Sequence, residues 1–259
     1  MRSAKVSARI AAAVLGGLAA VSAHSQLLMG KREIERTSAT EWLVMKRENP
    51  QITDPRVVRY VECIAGAIIN QLDDEWHDLN WEVVVFDNDQ LNAFAMTGGK
   101  IGVFSGIFTV ADTPDALAAV IGHEIAHMTE GHVFDRARRA SRTSAASIIG
   151  AAATGIHRDY FEFGGMLALQ LPFQRGQESE ADVVGLRYMA QAGFDPRAGL
   201  QLWQNMELAA EGRNKPPEWM STHPREYERI DDMVPLLVDN LKLYNEAQAA
   251  GRYPNCFPR

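Results

Sequence analysis

Residues 113–128 read TPDALAAVIGHEIAHM, and this stretch decides how the rest of the chain is interpreted. Its start, Thr113-Pro114-Asp115, is typical of a helix N-terminus, because threonine caps the first turn and proline is tolerated just inside it. His123 and His127 are four residues apart, so a helix places both imidazoles on one face. Two imidazole nitrogens can then bind one metal ion, while Glu124 lies about 100° further round the helix.

The pattern His-Glu-x-x-His is typical of zinc proteases, in which the glutamate accepts a proton from the attacking water. A solvated helix that happens to carry two histidines is the alternative. Most of this helix is apolar, however, and the apolar positions are Leu117, Ala118, Val120, Ile121, Ile125 and Ala126. A buried helix does not carry His-Glu-His unless those groups are paired or bind a metal. We therefore predict a zinc site with Glu124 as general base.

A catalytic zinc site also needs a third protein ligand. The variant with a third histidine would need glycine at position 130 and histidine at 133, but the chain has Glu130 and Val133 there. A second helix that begins near Glu178 offers acids instead. Glu178 and Asp182 share a helical face, so one could bind the metal while the other orients a histidine. Acids that merely favour a helix N-terminus are the alternative.

The composition limits the class of partner. The chain has 259 residues, 46% of them hydrophobic, and a net charge of −7. An acidic chain lacks the concentrated basic surface that nucleic-acid binding needs, so nucleic acid is not expected as a partner. Two cysteines, Cys63 and Cys256, are too few for a disulfide scaffold or a four-cysteine zinc site.

Residues 1–23 resemble a signal peptide. A positively charged start is followed by an apolar run at 10–21 and by small residues before a cleavage point after Ala23. An uncleaved anchor helix is the alternative, but the run of 12 residues is shorter than the roughly 20 that span a bilayer. No later segment is predicted to cross a membrane. Export would place Cys63 and Cys256 in an oxidising compartment, where we expect them to form a disulfide.

The remaining pattern predicts an α+β fold that is predominantly helical, with a small β-sheet beside the helix of the motif. Strands are predicted at 81–86, 92–96 and 100–104, the last two forming a hairpin around Gly98-Gly99. Helices are predicted at 34–47, 55–72, 116–128, 135–153, 178–192, 197–210 and 225–247. We divide the chain into the signal peptide, an N-terminal segment at 24–50 and one domain at 51–259.

The order of these motifs resembles the M48 family of metallopeptidases. His123-Glu124-x-x-His127 is followed some fifty residues later by Glu178-x-x-Ala181-Asp182. Residues 92–101, and Ser221-Thr222-His223-Pro224 followed by Arg229-Ile230, also match segments of that family. The matches span residues 55–233, and the soluble, exported, single-domain members of the family are the most similar. The resemblance implies a zincin-type metalloprotease domain.

The resemblance also implies residue roles. His123, His127 and Glu178 would bind one zinc ion, and Glu124 would be general base and then proton donor. Asp182 would hydrogen-bond a zinc-bound histidine.

Two further roles follow from the C-terminal match. His223 would either stabilise the oxyanion or occupy the fourth zinc position in a resting form, although a simple loop histidine is an equal alternative. Arg229 would support that site. The strand 100–104 would present an edge on which a peptide substrate pairs as an added strand.

We therefore expect an exported, periplasmic zinc endopeptidase that hydrolyses polypeptides, such as misfolded envelope proteins, in protein quality control. A zinc-containing chaperone or binding protein with little proteolytic activity is the alternative. The intact Glu124 favours the enzyme, because a structural zinc site needs no general base. The sequence leaves open a peripheral association with a membrane and the oligomeric state.

Three other features stay outside the predicted site. His132 lies five residues after His127 and therefore off the metal-binding face of a continuous helix. A basic cluster follows, which we interpret as a solvated helix face, and it comprises Arg136, Arg138, Arg139 and Arg142. The segment 150–173 is rich in glycine and aromatic residues, and it is either a mobile lid or a packed connector.

Overall fold

A computed structural model describes residues 30–141, 169, 171–212, 215–224 and 229–257 of the chain. The predicted signal peptide at 1–23 lies outside the described residues and stays a prediction. Most of the predicted lid or connector at 150–173 lies outside them as well.

Seven of the described helices form close to where the sequence predicts them, and two short helices, Asp74–His77 and Glu218–Thr222, are not predicted from it. In chain order, the described helices are α1 (Lys31–Glu48), α2 (Pro55–Ile69), α3 (Asp74–His77), α4 (Pro114–Thr129), α5 (132–141), α6 (Arg175–Ala192), α7 (Arg197–Ala210), α8 (Glu218–Thr222) and α9 (Arg229–Ala249). The helix α4 begins as expected, because the Thr113 hydroxyl accepts a hydrogen bond from the Ala116 N–H at 3.1 Å. Asp54 caps α2 in the same way by accepting from the Arg56 N–H at 2.9 Å.

The three predicted strands form one sheet. They are β1 (Glu82–Phe86), β2 (Ala93–Met96) and β3 (Lys100–Phe104), in the order β1-β3-β2. Strands β2 and β3 pair antiparallel around Gly98 and Gly99, whose φ angles of 79° and 74° are ones that glycine adopts without strain. The hairpin prediction is therefore confirmed.

One prediction about the sheet is wrong. The strand β3 cannot present an edge to a peptide, because it is the central strand and both of its sides are paired. Strand β1 pairs with it in parallel, and β2 pairs with it on the other side. A hairpin pattern gives the pairing of two strands, but it does not say on which side a third strand joins them.

The core surrounds α4. Every residue of this helix from Ala116 to Met128 is buried, because α6, α7, α2 and β2 all pack against it. A second apolar cluster lies on the sheet, where Trp42 of α1 makes edge-to-face contacts with Phe86 and Phe94. The His-Glu-x-x-His segment thus lies in the centre of the described fold.

A disulfide joins the second helix to the C-terminal end of the described chain. Cys63 of α2 is bonded to Cys256, which follows α9, with a Cα–Cα distance of 5.7 Å. This pairing confirms the predicted one. In the described part of the chain, no helix combines the length and the apolar character that crossing a bilayer requires.

Candidate metal centre

The site forms where α4 and α6 cross at glycines. A Cβ on Gly122 of α4 would lie 2.9 Å from the Gly185 carbonyl oxygen, and a Cβ on Gly185 would lie 2.8 Å from the His123 nitrogen. The two backbones can approach this closely only because neither residue has a side chain. The close crossing brings Glu178 and Asp182 of α6 to the histidines of α4.

Four buried side chains converge on one point, His123, His127, Glu178 and His223, with one ligand atom of each within 4.8 Å of the others. The two histidine Nε2 atoms are 3.0 Å apart. The Glu178 oxygens lie 3.6 Å from the Nε2 of His123 and 3.4 Å from that of His127. Ligand atoms around a tetrahedral zinc ion are separated by about 3.3 Å, which follows from bond lengths near 2.0–2.1 Å. The four side chains therefore have the chemistry and spacing to hold a metal ion.

The fourth member, His223, is oriented by the end of α8. Its Nδ1 lies 2.9 Å from the Trp219 carbonyl oxygen, which can only accept, so Nδ1 carries the proton. In the neutral ring, Nε2 then has a lone pair. This buried Nε2 makes no hydrogen bond to any of the described residues. Such an atom is a suitable metal ligand.

Each histidine of α4 has a partner on its outer nitrogen. Asp182 Oδ1 lies 3.0 Å from the Nδ1 of His123. The Nδ1 of His127 lies 3.0 Å from the Nδ1 of His132, whose Nε2 lies 3.1 Å from Glu180 Oε2.

His132 contacts the site although its spacing would place it off the metal-binding face of one continuous helix. Gly131 has a φ of 75° and turns the chain, so His132 begins α5 and returns towards the site. Glycine directly after a helical pattern is a helix-stop signal and could have revealed this turn.

Glu124 is buried beside the converging ligands. It accepts a hydrogen bond from the Trp219 Nε1–H at 2.7 Å, and its Oε1 is 3.3 Å from the Nε2 of His223. Burial raises the pKa of Glu124 to about 7. A carboxyl group with this pKa can both accept and return a proton near neutral pH. Nothing in the local sequence pattern marks Trp219 as its partner.

An aromatic ring and a cation cover the second histidine. Phe173 stacks on the ring of His127 at 3.6 Å, and the Arg136 guanidinium lies 3.9 Å above Phe173. Arg136 is only 2% exposed, so its assignment to a solvated face is wrong. Burial lowers its pKa to about 10, which still leaves a cation near Glu124 and Glu178. Arg142 lies outside the described residues.

The charges of the site are unevenly distributed when it holds no metal. Burial alone would lower the pKa of His123, but hydrogen bonds to Asp182 and Glu178 raise the pKa to about 9. Burial lowers the pKa of His127 well below its usual value, and that of His223 to about 3. Although burial opposes it, the neighbouring imidazoles hold the pKa of Glu178 well below its usual range. At neutral pH the ring of His123 is therefore the protonated, positively charged imidazole of the metal-free site.

Six of the seven predicted site residues lie together, namely His123, Glu124, His127, Glu178, Asp182 and His223. The seventh, Arg229, is the first residue of α9, and its side chain lies outside the described part of the chain. Its supporting role stays a prediction.

Residues 54–235 match the family model described as peptidase family M48. The mitochondrial metalloendopeptidase OMA1 of Schizosaccharomyces pombe is 38% identical over 153 residues, which are 59% of this chain and 45% of that protein. The beta-barrel assembly-enhancing protease of Escherichia coli K12 is 26% identical over 217 residues, 77% of this chain and 44% of that protein. The mitochondrial metalloendopeptidase OMA1 of Bos taurus is 30% identical over 244 residues, 86% of this chain and 46% of that protein. The chain spans less than half the length of these relatives.

Proposed function

Because the chain belongs to peptidase family M48, we propose that it is a zinc-dependent endopeptidase that hydrolyses peptide bonds within proteins. The observation that carries this proposal is the position of Glu124. Its carboxyl group is buried beside the four converging ligand atoms and has a pKa of about 7. A zinc site that only stabilises a fold needs no general base next to it, so this arrangement favours catalysis over the zinc-containing chaperone.

His123, His127 and Glu178 would hold the zinc ion, which supplies Lewis-acid polarisation of the scissile carbonyl and of water. Glu124 then accepts a proton from the attacking water on its carboxylate. The same oxygen returns the proton to the nitrogen of the leaving amine, which makes Glu124 base and acid in turn. The hydrogen bond from Trp219 holds the carboxylate in place through both steps. Asp182 fixes the ring of His123 by accepting from its Nδ1.

We assign to His223 the role of a fourth ligand in a resting form. Its Nε2 has no proton to donate to an oxyanion, because the Trp219 carbonyl holds the proton on Nδ1. This tautomer supports metal binding rather than oxyanion stabilisation. A substrate would then have to displace His223.

We further propose that the enzyme is exported and acts in protein quality control of the cell envelope, on misfolded polypeptides. Three observations support this location. Residues 1–23 resemble a signal peptide, the Cys63–Cys256 disulfide suits an oxidising compartment, and several relatives are named beta-barrel assembly-enhancing proteases. N-terminal sequencing of the full chain after expression and fractionation of a bacterial host tests the export, and an intact N-terminus in the cytoplasm would contradict it.

A comparison of two Glu→Gln variants tests the activity. Glu124→Gln should abolish casein cleavage while keeping one zinc ion per chain, because glutamine preserves the shape of the side chain but cannot accept the proton. Glu130→Gln is the matched control, since Glu130 is exposed at the end of the same helix. A chelator should abolish cleavage by the wild type. Full activity of Glu124→Gln would refute the mechanism, and the absence of cleavage by the zinc-loaded wild type and His223→Ala would favour the chaperone.

A further inference from the structure

We propose that His132 and Glu180 are positioning residues that orient the metal ligand His127 through a chain of two hydrogen bonds reaching the surface. This inference rests on the proposed metal site. It goes beyond that site because neither His132 nor Glu180 is one of the four converging ligands.

The direction of the hydrogen bonds follows from the chemistry of imidazole. If His127 binds the metal through Nε2, its only proton is on Nδ1. That N–H must donate to the Nδ1 of His132, 3.0 Å away, which therefore has a lone pair. His132 then carries its own proton on Nε2, which lies 3.1 Å from the carboxylate of Glu180. Both contacts are thus satisfied by one arrangement of protons, and metal binding selects it.

We call the hydrogen-bonded chain from His127 through His132 to Glu180 the relay. The burial of its three side chains supports it. The side chains of His127 and His132 are 0% and 4% exposed, while that of Glu180 is 56% exposed. A buried histidine needs a partner for each polar nitrogen, and His132 finds one on each side. Because Glu180 lies on the outer part of α6, it does not touch His127, and the ring of His132 bridges the gap.

Through the relay, residues of α6 orient both histidines of α4. Asp182 orients His123 directly, and Glu180 orients His127 through His132. A hydrogen bond on the outer nitrogen fixes the tautomer and the rotation of a ligating ring, and it raises the basicity of the nitrogen that binds the metal. Helix α6 therefore supplies the ligand Glu178 and also orients both histidine ligands of α4.

Substitutions at His132 test the relay through zinc affinity, which does not depend on peptidase activity. His132→Leu removes the acceptor at similar size, and it should weaken zinc binding by about 10- to 100-fold, as the loss of such partners typically does. His132→Asn places an amide oxygen near the former Nδ1, so it should recover most of the affinity. Competition with a chromophoric chelator measures both. Unchanged affinity in His132→Leu, or equal losses in the two variants, would overturn the proposal.

A substitution at the surface tests the relay even if the His132 variants fail to fold. Glu180→Ala alters an exposed side chain, and it should weaken zinc binding by a few-fold and change the visible spectrum of the Co²⁺-loaded protein. Glu207→Ala is the control, because Glu207 is exposed on α7. A Glu180→Ala protein with the affinity and the Co²⁺ spectrum of Glu207→Ala would remove Glu180 from the relay. If the zinc affinities of the variants change as expected but no form of the protein cleaves casein, the proposed function fails and the relay stands.

Discussion

The Gly185 Cα faces the backbone of His123 so closely that an added Cβ would lie 2.8 Å from the His123 nitrogen. The obstacle is backbone rather than a flexible side chain, so α4 and α6 would have to separate to accept any larger residue. Since α6 carries Glu178 and Asp182, such a separation would also pull these carboxylates away from the histidines. Helix packing and the metal site are therefore coupled at one glycine.

Gly185→Ala should lower the free energy of unfolding of the metal-free protein by about 1–3 kcal/mol, the usual cost of overpacking a core. It should also weaken zinc binding. Gly176→Ala is the matched control on α6, because an added Cβ there meets nothing within 4 Å. It should be neutral or stabilising by roughly 0.5–1 kcal/mol, since alanine favours a helix. Urea denaturation measures both, and equal stabilities of the two variants would contradict the close-packing argument.

His223→Ala should increase the rate of casein cleavage and weaken zinc binding. The reason is that the Nε2 of His223 would no longer compete with substrate for the metal. The assay compares initial rates at saturating zinc, so that the loss of affinity does not hide the gain in activity. A fall in the rate at saturating zinc would instead support the oxyanion role.

Trp219→Phe should shift the acid limb of the pH profile of kcat/KM to higher pH by roughly one pH unit. The Trp219 hydrogen bond stabilises the charged form of Glu124 and so lowers its pKa, and removing the donor lets burial raise that pKa further. The base must be deprotonated to act, so activity is lost on the acid side and recovers at higher pH. Trp42→Phe removes an indole donor far from the site, to Glu82, and should leave the profile unchanged. An unshifted acid limb in Trp219→Phe would contradict the assigned contact.

Zinc affinity should rise with pH, by up to about tenfold per pH unit, and level off near pH 9. His123 has a raised pKa of about 9 in the metal-free protein, so below that pH the metal must displace its proton. His127 and His223 have lowered pKa values and are already neutral above pH 7. Chelator competition between pH 7 and 9.5 measures the slope. An affinity that is constant over this range would show that His123 binds metal without losing a proton.

The sequence was informative wherever the chemistry is local. The spacing of His123 and His127, the cap at Thr113 and the turn at Gly98-Gly99 each act within a few residues, and all three appear as predicted. Glu178 and Asp182 could also be found. A zinc site on the first helix needs a third protein ligand, and two acids spaced four apart on a second helix can supply it.

The errors arise where the tertiary structure decides. Trp219 meets Glu124 across 95 residues, and no local pattern predicts that contact. Arg136 looked like part of a surface charge run, yet it is buried over Phe173 and near the carboxylates of the site. The position of β3 at the centre of the sheet depends on a parallel partner that precedes the hairpin in the chain.

The bond between Cys63 and Cys256 encloses nearly all of the site-bearing chain in one covalent ring, since 193 positions separate the two sulfur-bearing residues. A single cut anywhere inside that ring leaves its two pieces joined. If the enzyme cleaves itself there, or another protease nicks it, the product would migrate as one species until a reductant is added. Electrophoresis of this protein therefore has to be run both with and without reductant before it is judged intact.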